Sequence, residues 1–191
     1  MDYLKIYTDC FNNKTYSTDD HIQYHYATNA IEKLFNIRTN IKLIDIGSGR
    51  GQLLALVNNF NTPIDITSVD LKKFNDIPVN NFIPCDLSKE PDRANIIIRK
   101  YDVVTCLDVF EHLDKFYIED VIKMCATISP ISVFSIANHS DIINGIELHT
   151  IQENDIWWEQ ILLKYFTITD KKMCYNGRLY MYICESKICQ L

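Results

Sequence analysis

The segment 43–54 constrains the fold more than any other part of the sequence, because an apolar strand pattern runs into three closely spaced glycines and then into an apolar helix pattern. Residues 41–46 are rich in β-branched and other apolar side chains, which is typical of a central parallel strand buried on both faces. Gly47, Gly49 and Gly51 allow a tight turn and a close ligand approach where a Cβ atom would collide. The free N–H groups of the following helix point at that turn. The segment therefore predicts an α/β protein with a binding site at the end of this strand.

The chain length of 191 residues is that of about one domain, and we expect an N-terminal helical cap over 1–40 and one globular unit over 41–191. No run approaches the roughly 20 apolar residues of a membrane span, and the N-terminus lacks the pattern of a secretory signal. The seven cysteines form no C-x-x-C pair, which favours reduced thiols. We therefore expect a cytoplasmic protein without a membrane partner.

Strand and helix patterns alternate along most of the chain. The patterns predict strands at 41–46, 64–69, 82–85, 101–107 and 131–137. They predict helices at 19–35, 52–60, 88–99, 116–128 and 153–164, the first of them capped by Ser17, Thr18 or Asp19. Residues 1–18 are expected to be loop or a short helix, and 138–152 a long loop. The last two β-rich runs are joined by Asn176-Gly177, which predicts a tight antiparallel hairpin.

Acidic residues stand at the ends of several predicted strands. Asp70 follows the second strand, where a carboxylate can accept hydrogen bonds from the ribose hydroxyls of an adenosine cofactor. Asp86 follows the third strand, where it can cap the next helix, a role that does not exclude contact with a ligand. The run 101–113, YDVVTCLDVFEHL, contains the fourth strand and the acidic residues Asp108 and Glu111 that follow it. Because ligands of open α/β sheets bind outside the carboxyl ends of the strands, these positions belong to one predicted site.

The spacing Asp45-x-Gly47-x-Gly49-x-Gly51 and the later DVFEHL run resemble the first and fourth motifs of the Rossmann-like methyltransferases that use S-adenosylmethionine. Dinucleotide-binding domains instead show G-x-G-x-x-G. The resemblance is specific over 41–113 and architectural beyond it. It implies a single Rossmann-like methyltransferase domain whose seven-stranded, mostly parallel sheet has the order 3-2-1-4-5-7-6 and an antiparallel last strand. It also implies an enzyme whose cofactor is S-adenosyl-L-methionine, bound by Asp45, Gly47, Ser48, Gly49, Gly51, Asp70, Leu71, Asp86, Leu87 and Leu107.

Methyl transfer from a sulfonium is an in-line displacement, so positioning of the acceptor supplies much of the catalysis. A hydroxyl acceptor benefits from a general base, and histidine is suited to this because its ordinary pKa of about 6.5 leaves it largely neutral at pH 7. The candidate catalytic residues are His112, His139 and His149, of which we rank His149 first because of its place in the long loop after the fifth strand. Each is equally explained as a hydrogen-bonded surface histidine.

A metal-dependent alternative rests on Asp108, Glu111, His112 and the later His149. They resemble the E-x-x-E-H plus histidine set with which small-RNA 3′-terminal 2′-O-methyltransferases hold Mg²⁺. The chain departs from that set in having aspartate as the first acid and no matched second distal histidine. Whether a metal is used is left open by the sequence.

The sequence supports three functions. The first is O-methylation of a small-molecule hydroxyl acceptor, since Tyr24, Tyr26, Trp157 and Trp158 suit an enclosed aromatic pocket. The second is metal-assisted RNA 2′-O-methylation, which a formal net charge of −6 disfavours because phosphate binding needs clustered lysine and arginine. The third is a non-catalytic subunit that binds S-adenosylmethionine and regulates a partner.

Overall fold

The computed structural model describes residues 3–12, 21–35, 40–60, 63–74 and 81–189. The strands are β1 (Ile41–Ile46), β2 (Ile64–Asp70), β3 (Asn81–Pro84), β4 (Val103–Leu107), β5 (Ile131–Ala137), β6 (Ile142–Ile143), β7 (Ile146–Glu147), β8 (Phe166–Cys174) and β9 (Leu179–Ser186). The helices are α1 (Tyr3–Asn12), α2 (Ile22–Phe35), α3 (Gln52–Val57), α4 (Glu90–Ile97), α5 (Lys115–Ile128) and α6 (Asp155–Tyr165). No helix in these ranges is long and apolar enough to cross a membrane.

The main sheet has the order β3-β2-β1-β4-β5-β9-β8. Its first five strands run parallel, β9 is antiparallel to β5, and β8 is antiparallel to β9. The short strands β6 and β7 form a separate two-stranded sheet. If only the strands of the main sheet are numbered along the chain, β8 and β9 become the sixth and seventh strands and the order is 3-2-1-4-5-7-6. The predicted order and the antiparallel last strand are therefore confirmed.

Helices cover both faces of the sheet, which explains why all five residues of β4 are buried. Val104 belongs to one apolar cluster, which includes Ile122 of α5. Its neighbour Val103 belongs to the other cluster, which includes Ala27 and Ile31 of α2. Successive strand residues face opposite sides, so each crossover helix needs only one apolar face. Helix α2 shares this second core, and the division at residue 40 stays a prediction.

Several element ends differ from the predicted ones. Residues 3–12 form helix α1, one of the two structures expected for 1–18, whereas the predicted loop 138–152 contains the small hairpin of β6 and β7. The predicted antiparallel hairpin around Asn176-Gly177 forms, but its connection is longer than these two residues, because the last paired residues are Cys174 and Leu179. Four residues connect these strands, and three of them have positive φ angles. The predicted cap residues 17–19 lie outside the described residues.

Candidate functional site

The three glycines after β1 adopt left-handed backbone conformations, with φ angles of 72°, 50° and 83° at Gly47, Gly49 and Gly51. The Gly47 N–H donates to the Val69 carbonyl at 2.8 Å, which ties the turn to the end of β2. Gly51 is the N-cap of α3, and its N–H donates to the Ser48 carbonyl at 2.8 Å. The turn is therefore fixed by backbone bonds, and it presents the start of α3 to the space above the sheet.

Gly47 has no room for a side chain. A Cβ atom there would lie 2.2 Å from Cγ2 of Val109, in the loop after β4. We expect Gly47→Ala to cost about 3 kcal/mol of unfolding free energy, from left-handed strain plus overpacking. Chemical denaturation measures this cost. The matched control is Gly145→Ala, which has a similar φ of 77° but no atom within 4 Å of the added Cβ, and it should cost about 1 kcal/mol. Equal losses at both positions would show that the contact with Val109 relaxes without cost.

Asp70 joins the glycine turn to the end of β2. One carboxylate oxygen accepts the Gly49 N–H at 2.8 Å and the other accepts the Leu71 N–H at 2.7 Å. Burial raises the pKa of Asp70 to about 6, although these two hydrogen bonds act in the opposite direction. Each oxygen keeps a lone pair after accepting one hydrogen bond. The carboxylate can therefore hold the turn and still accept a hydroxyl from a ligand.

Asp45 is 4% exposed, and the Thr105 hydroxyl donates to its Oδ1 at 2.7 Å. Burial raises the pKa of this carboxyl to about 7; the hydrogen bond from Thr105 opposes the rise and the charge of Asp70 adds to it. At neutral pH the side chain is therefore close to half protonated. Asp45 is a buried acid at the floor of the site, and a nearby positive charge would stabilise its ionised form.

The raised pKa of Asp45 predicts a pH-dependent stability. Because the folded value lies above the ordinary 3.8, the group stabilises the fold at low pH, and this contribution is lost as the pH rises from about 4 through 7. Asp45→Asn keeps an acceptor for Thr105 without the charge. Relative to this variant, the wild type should lose roughly 2 kcal/mol of unfolding free energy between pH 5 and pH 8. Denaturation at both pH values measures this loss, with the exposed Asp65→Asn as control. A difference in unfolding free energy between the wild type and Asp45→Asn that does not change with pH would contradict the burial effect.

Asp86 organises the turn before α4. Its Oδ1 accepts from the Ser88 N–H at 3.0 Å and from the Ser88 hydroxyl at 2.6 Å, and Lys89 lies 3.2 Å from Oδ2. Partial burial alone would raise the pKa of Asp86, but the bonds from Ser88 and Lys89 outweigh it and lower the pKa. Lys89, whose side chain makes no cap bond, is the N-cap of α4, so Asp86 does not cap the helix directly. Leu87, next to it, is buried.

Two acids follow β4. Asp108 has a positive φ of 55°, and its Oδ1 accepts the Ser135 hydroxyl at 2.6 Å while Oδ2 accepts the amide of Gln23. Glu111 is fully buried, and its Oε1 accepts the Ala137 N–H at 2.8 Å. Burial raises the pKa of both carboxyls. The Oε2 atom of Glu111 is buried and has no hydrogen-bond partner among the residues that the structure describes, so a protonated carboxyl or a bound cation would satisfy it.

The three candidate histidines form one cluster beside Glu111. The ring of His149 lies 4.6 Å from that of His112 and 4.9 Å from that of His139, centroid to centroid. Burial lowers the pKa of His112 to about 3 and also lowers the pKa of His149. Both rings are therefore neutral at pH 7. Ligand atoms of Glu111, His112 and His149 all lie within 4.8 Å of one another, a separation that one metal ion can bridge.

A cavity of about 2170 Å³ connects the glycine turn with the histidine cluster. Gly51 is absent from its lining, whereas the other predicted site residues line it, namely Asp45, Gly47, Ser48, Gly49, Asp70, Leu71, Asp86, Leu87, Leu107, His112, His139 and His149. The volume exceeds the roughly 300–1,000 Å³ of an ordinary small-molecule pocket. The cavity therefore has room for a cofactor and an acceptor together.

The predicted aromatic lid is wrong in three of its four members. Trp158 is fully buried in the core, where it stacks on Phe110 at 6.2 Å, and Trp157 packs against the same cluster. The Tyr26 hydroxyl donates to Asp170 at 2.8 Å, away from the cavity. Only Tyr24 lines it. The other aromatic rings of the lining come from Tyr7, Phe11, Tyr117 and Tyr175.

Sequence reasoning missed residues that hold the site from a distance. Gln23 is 2% exposed and bonds Asp108, yet a glutamine on a helix carries no sequence signal for that role. Glu147 accepts the N–H groups of Asp141 at 2.8 Å and His149 at 3.0 Å, and a hydroxyl bond from Ser140 is the main cause that lowers its pKa to about 2. The sequence signal available for Glu147 was its position two residues before the candidate base His149.

A sequence profile of the methyltransferase domain family matches residues 20–174. The chain belongs to the methyltransferase domain family. This methyltransferase is therefore an enzyme that uses S-adenosylmethionine, as its motifs predicted. A search of curated protein sequences finds no significant match.

Solved structures share the fold of the methyltransferase. An S-adenosylmethionine-dependent methyltransferase from Clostridium acetobutylicum ATCC 824 has a TM-score of 0.68 at 14% identity, over 98% of this chain and 99% of that one. The 1,6-didemethyltoxoflavin-N1-methyltransferase of Burkholderia thailandensis has a TM-score of 0.68 at 15% identity, over 95% of this chain and 86% of that one. The small RNA methyltransferase HEN1 has a TM-score of 0.65 at 14% identity, over 88% of this chain but 25% of that one. At these identities the likeness establishes the fold.

Proposed function

We propose that the methyltransferase transfers the methyl group of S-adenosylmethionine to a hydroxyl group of a small molecule, with His149 as the general base. The observation that carries the proposal is the pair of neutral imidazoles, His112 and His149, in the same cavity as the glycine turn. A hydroxyl acceptor must lose its proton during transfer, and a neutral imidazole at that end of the cavity can take it.

The backbone sets which nitrogen of His149 acts. Its Nδ1 lies 2.6 Å from the His139 carbonyl, which only accepts hydrogen bonds, so Nδ1 carries the proton and Nε2 keeps its lone pair. Nε2 lies 3.9 Å from a carboxylate oxygen of Asp141, which stabilises the imidazolium after proton transfer. In the reaction, the acceptor oxygen bonds to the methyl carbon as the carbon–sulfur bond breaks. Bound S-adenosylmethionine would supply the activated methyl group and leave as a neutral thioether, and Nε2 of His149 would take the hydroxyl proton.

The charges around the cavity support a small acceptor. Among the described residues, eight carboxylate side chains line it against three lysines or arginines, namely Arg50, Lys89 and Arg178. Lys89 is already paired with Asp86. A nucleic acid needs a continuous track of positive charge for its phosphates, and these three side chains do not supply one.

A metal-assisted RNA 2′-O-methyltransferase is the second candidate, favoured by the unpartnered Oε2 of Glu111 and by the fold shared with HEN1, a small RNA methyltransferase. The residues fit a divalent ion. The Nδ1 atoms of His112 and His149 both face backbone carbonyls, which leaves both Nε2 atoms free to act as ligands, as is usual for metal-bound histidine. One carboxylate and two imidazoles suit a first-row transition ion better than Mg²⁺. A bound ion would lower the pKa of the acceptor hydroxyl.

An acceptor screen read by release of S-adenosylhomocysteine tests the proposal. The purified protein should methylate a hydroxyl compound of the panel, retain that activity in EDTA, and leave a single-stranded RNA oligonucleotide unmodified at physiological salt. Activity that requires Mn²⁺ or Mg²⁺ and is confined to RNA would favour the second candidate. Cofactor binding without turnover of any acceptor would favour a regulatory subunit.

Titration of Mn²⁺ into the wild type and Glu111→Gln tests the metal site without measuring activity. Micromolar binding that the substitution abolishes would place an ion at the cluster, and its absence would leave His149 as the base.

A further inference from the structure

The loop between β8 and β9 contributes Tyr175 and Arg178 to the cavity lining. Tyr175, Asn176 and Gly177 have φ angles of 52°, 56° and 83°. A bulky residue such as tyrosine is uncommon in this conformation and persists only where the surroundings hold it, often at ligand sites. Tyr175 belongs to the cavity lining and is 65% exposed. The loop therefore presents an aromatic surface to the cavity in a strained conformation.

The first residue after β5 holds this loop beside the histidine cluster. The Asn138 N–H donates to the Arg178 carbonyl at 2.7 Å, and its side-chain amide donates to the Tyr180 hydroxyl at 2.9 Å. The next residue along the chain is His139, whose ring lies 4.9 Å from that of His149. Arg178 is therefore anchored through its backbone at the histidine end of the cavity, while its exposed side chain lines the cavity.

The guanidinium of Arg178 makes no ion pair or side-chain hydrogen bond within the part of the chain that the structure describes. Of the other two cations in the lining, Arg50 lies in the glycine turn and Lys89 pairs with Asp86. Arg178 is thus the unpaired cation of the described lining whose backbone is tied to Asn138, the residue before His139. An unpaired arginine beside an exposed aromatic ring is an arrangement suited to a small molecule that carries a negative charge.

We propose that the acceptor carries an anionic group, a carboxylate or a phosphate monoester, that Arg178 binds, while the body of the acceptor lies against Tyr175 and Ile142. Ile142 is 63% exposed and belongs to the cavity lining, to which it adds apolar surface. The inference deepens the proposed function, on which it rests, by assigning the charge of the acceptor. The guanidinium can bind both oxygens of a carboxylate or phosphate at once, which fixes the orientation of the hydroxyl to be methylated.

Binding of inorganic phosphate and of 3,4-dihydroxybenzoate to the protein saturated with S-adenosylhomocysteine tests the anion site without requiring turnover. Calorimetry should show both probes binding the wild type, 3,4-dihydroxybenzoate more tightly than the neutral catechol. Arg178→Gln should weaken both by about 10-fold or more, the usual loss for a charge-assisted hydrogen bond. The matched control is Arg99→Gln, which removes the same charge from an exposed position outside the cavity and should leave both affinities unchanged.

Turnover separates this inference from the proposed function. Matched acceptors, catechol with 3,4-dihydroxybenzoate and glucose with glucose 6-phosphate, are compared by kcat/KM. The wild type should prefer the anionic member of a pair, Arg178→Gln should lose that preference, and Arg178→Glu should reverse it. Methylation of the neutral members alone, or a preference that Arg178→Gln keeps, overturns the anion site. If no hydroxyl is methylated but both anions bind through Arg178, the proposed function fails and the anion site stands. If neither anion binds, the anion site is wrong.

Discussion

Asp70→Ala is expected to weaken binding of S-adenosylhomocysteine by about 10²-fold or more, because each charge-assisted hydrogen bond that is lost costs roughly 1.5–3 kcal/mol. The carboxylate holds the N–H groups of Gly49 and Leu71, one on each oxygen. The substitution therefore leaves two backbone donors without their acceptor and releases the turn. We expect the same carboxylate to accept the ribose hydroxyls of the cofactor, and that contact would be lost as well. Titration calorimetry measures the change.

The control for this prediction is Asp65→Ala, which removes an exposed carboxylate from the same strand and should leave affinity unchanged. Asp70→Asn keeps the shape of the side chain and an acceptor for one of the two N–H groups, so it should lose less affinity than Asp70→Ala. Thermal melting establishes that each variant is folded. Wild-type affinity in a folded Asp70→Ala variant would contradict the role of this residue in cofactor binding.

His149→Ala is expected to lower kcat by about 10²-fold or more, the usual contribution of a general base, while cofactor affinity stays the same. Burial lowers the pKa of His149 from its ordinary 6.5. The acidic limb of kcat/KM in the wild type should therefore lie below pH 6.5 and should vanish in the variant. Steady-state kinetics across the pH range, with S-adenosylhomocysteine release as the readout, measures both effects.

The matched control is His25→Ala, an exposed histidine of α2 that lies outside the cavity lining and should keep full activity. Full activity in His149→Ala would move the role to His139 or His112. A wild-type activity that disappears in EDTA and returns with Mn²⁺ would instead make His149 a metal ligand. The three outcomes differ in which substitution and which treatment abolish turnover.

Much of the fold was predictable, because buried parallel strands are short apolar runs bounded by turn residues: β1 ends before Gly47, and β2 and β5 begin directly after Pro63 and Pro130. The bounds of β1 and β5 were predicted to the residue, and Asp70 was predicted as the end of β2. The strand order then followed from the resemblance to a known family. The strand-end residues of the cavity lining, such as Asp70 and Asp86, were equally predictable, since the carboxyl ends of parallel strands meet at one edge of a sheet.

The remainder depended on contacts between distant parts of the chain. The bond from Gln23 to Asp108 joins residues 85 positions apart, and no local pattern encodes it. Trp157 and Trp158 are adjacent on a helix, and only the direction of α6 relative to the core decides that both pack inward rather than over the cavity. Similarly, the Asn176-Gly177 pair indicated a tight turn, but pairing of β8 with β9 stops at Cys174 and Leu179. Local propensity fixed the presence of the turn and tertiary pairing fixed its length.

The contact between Gly47 and Val109 limits the order in which this protein can change over generations. A Cβ at position 47 would overlap a methyl of Val109, so the two positions are not free to vary independently. If Val109 is first replaced by a smaller residue, a later substitution of Gly47 costs less stability. In the reverse order, the variant that carries only the substitution at position 47 is less stable. Drift toward a substituted turn is therefore expected to begin in the loop after β4, 62 residues away in sequence, and not in the glycine motif itself.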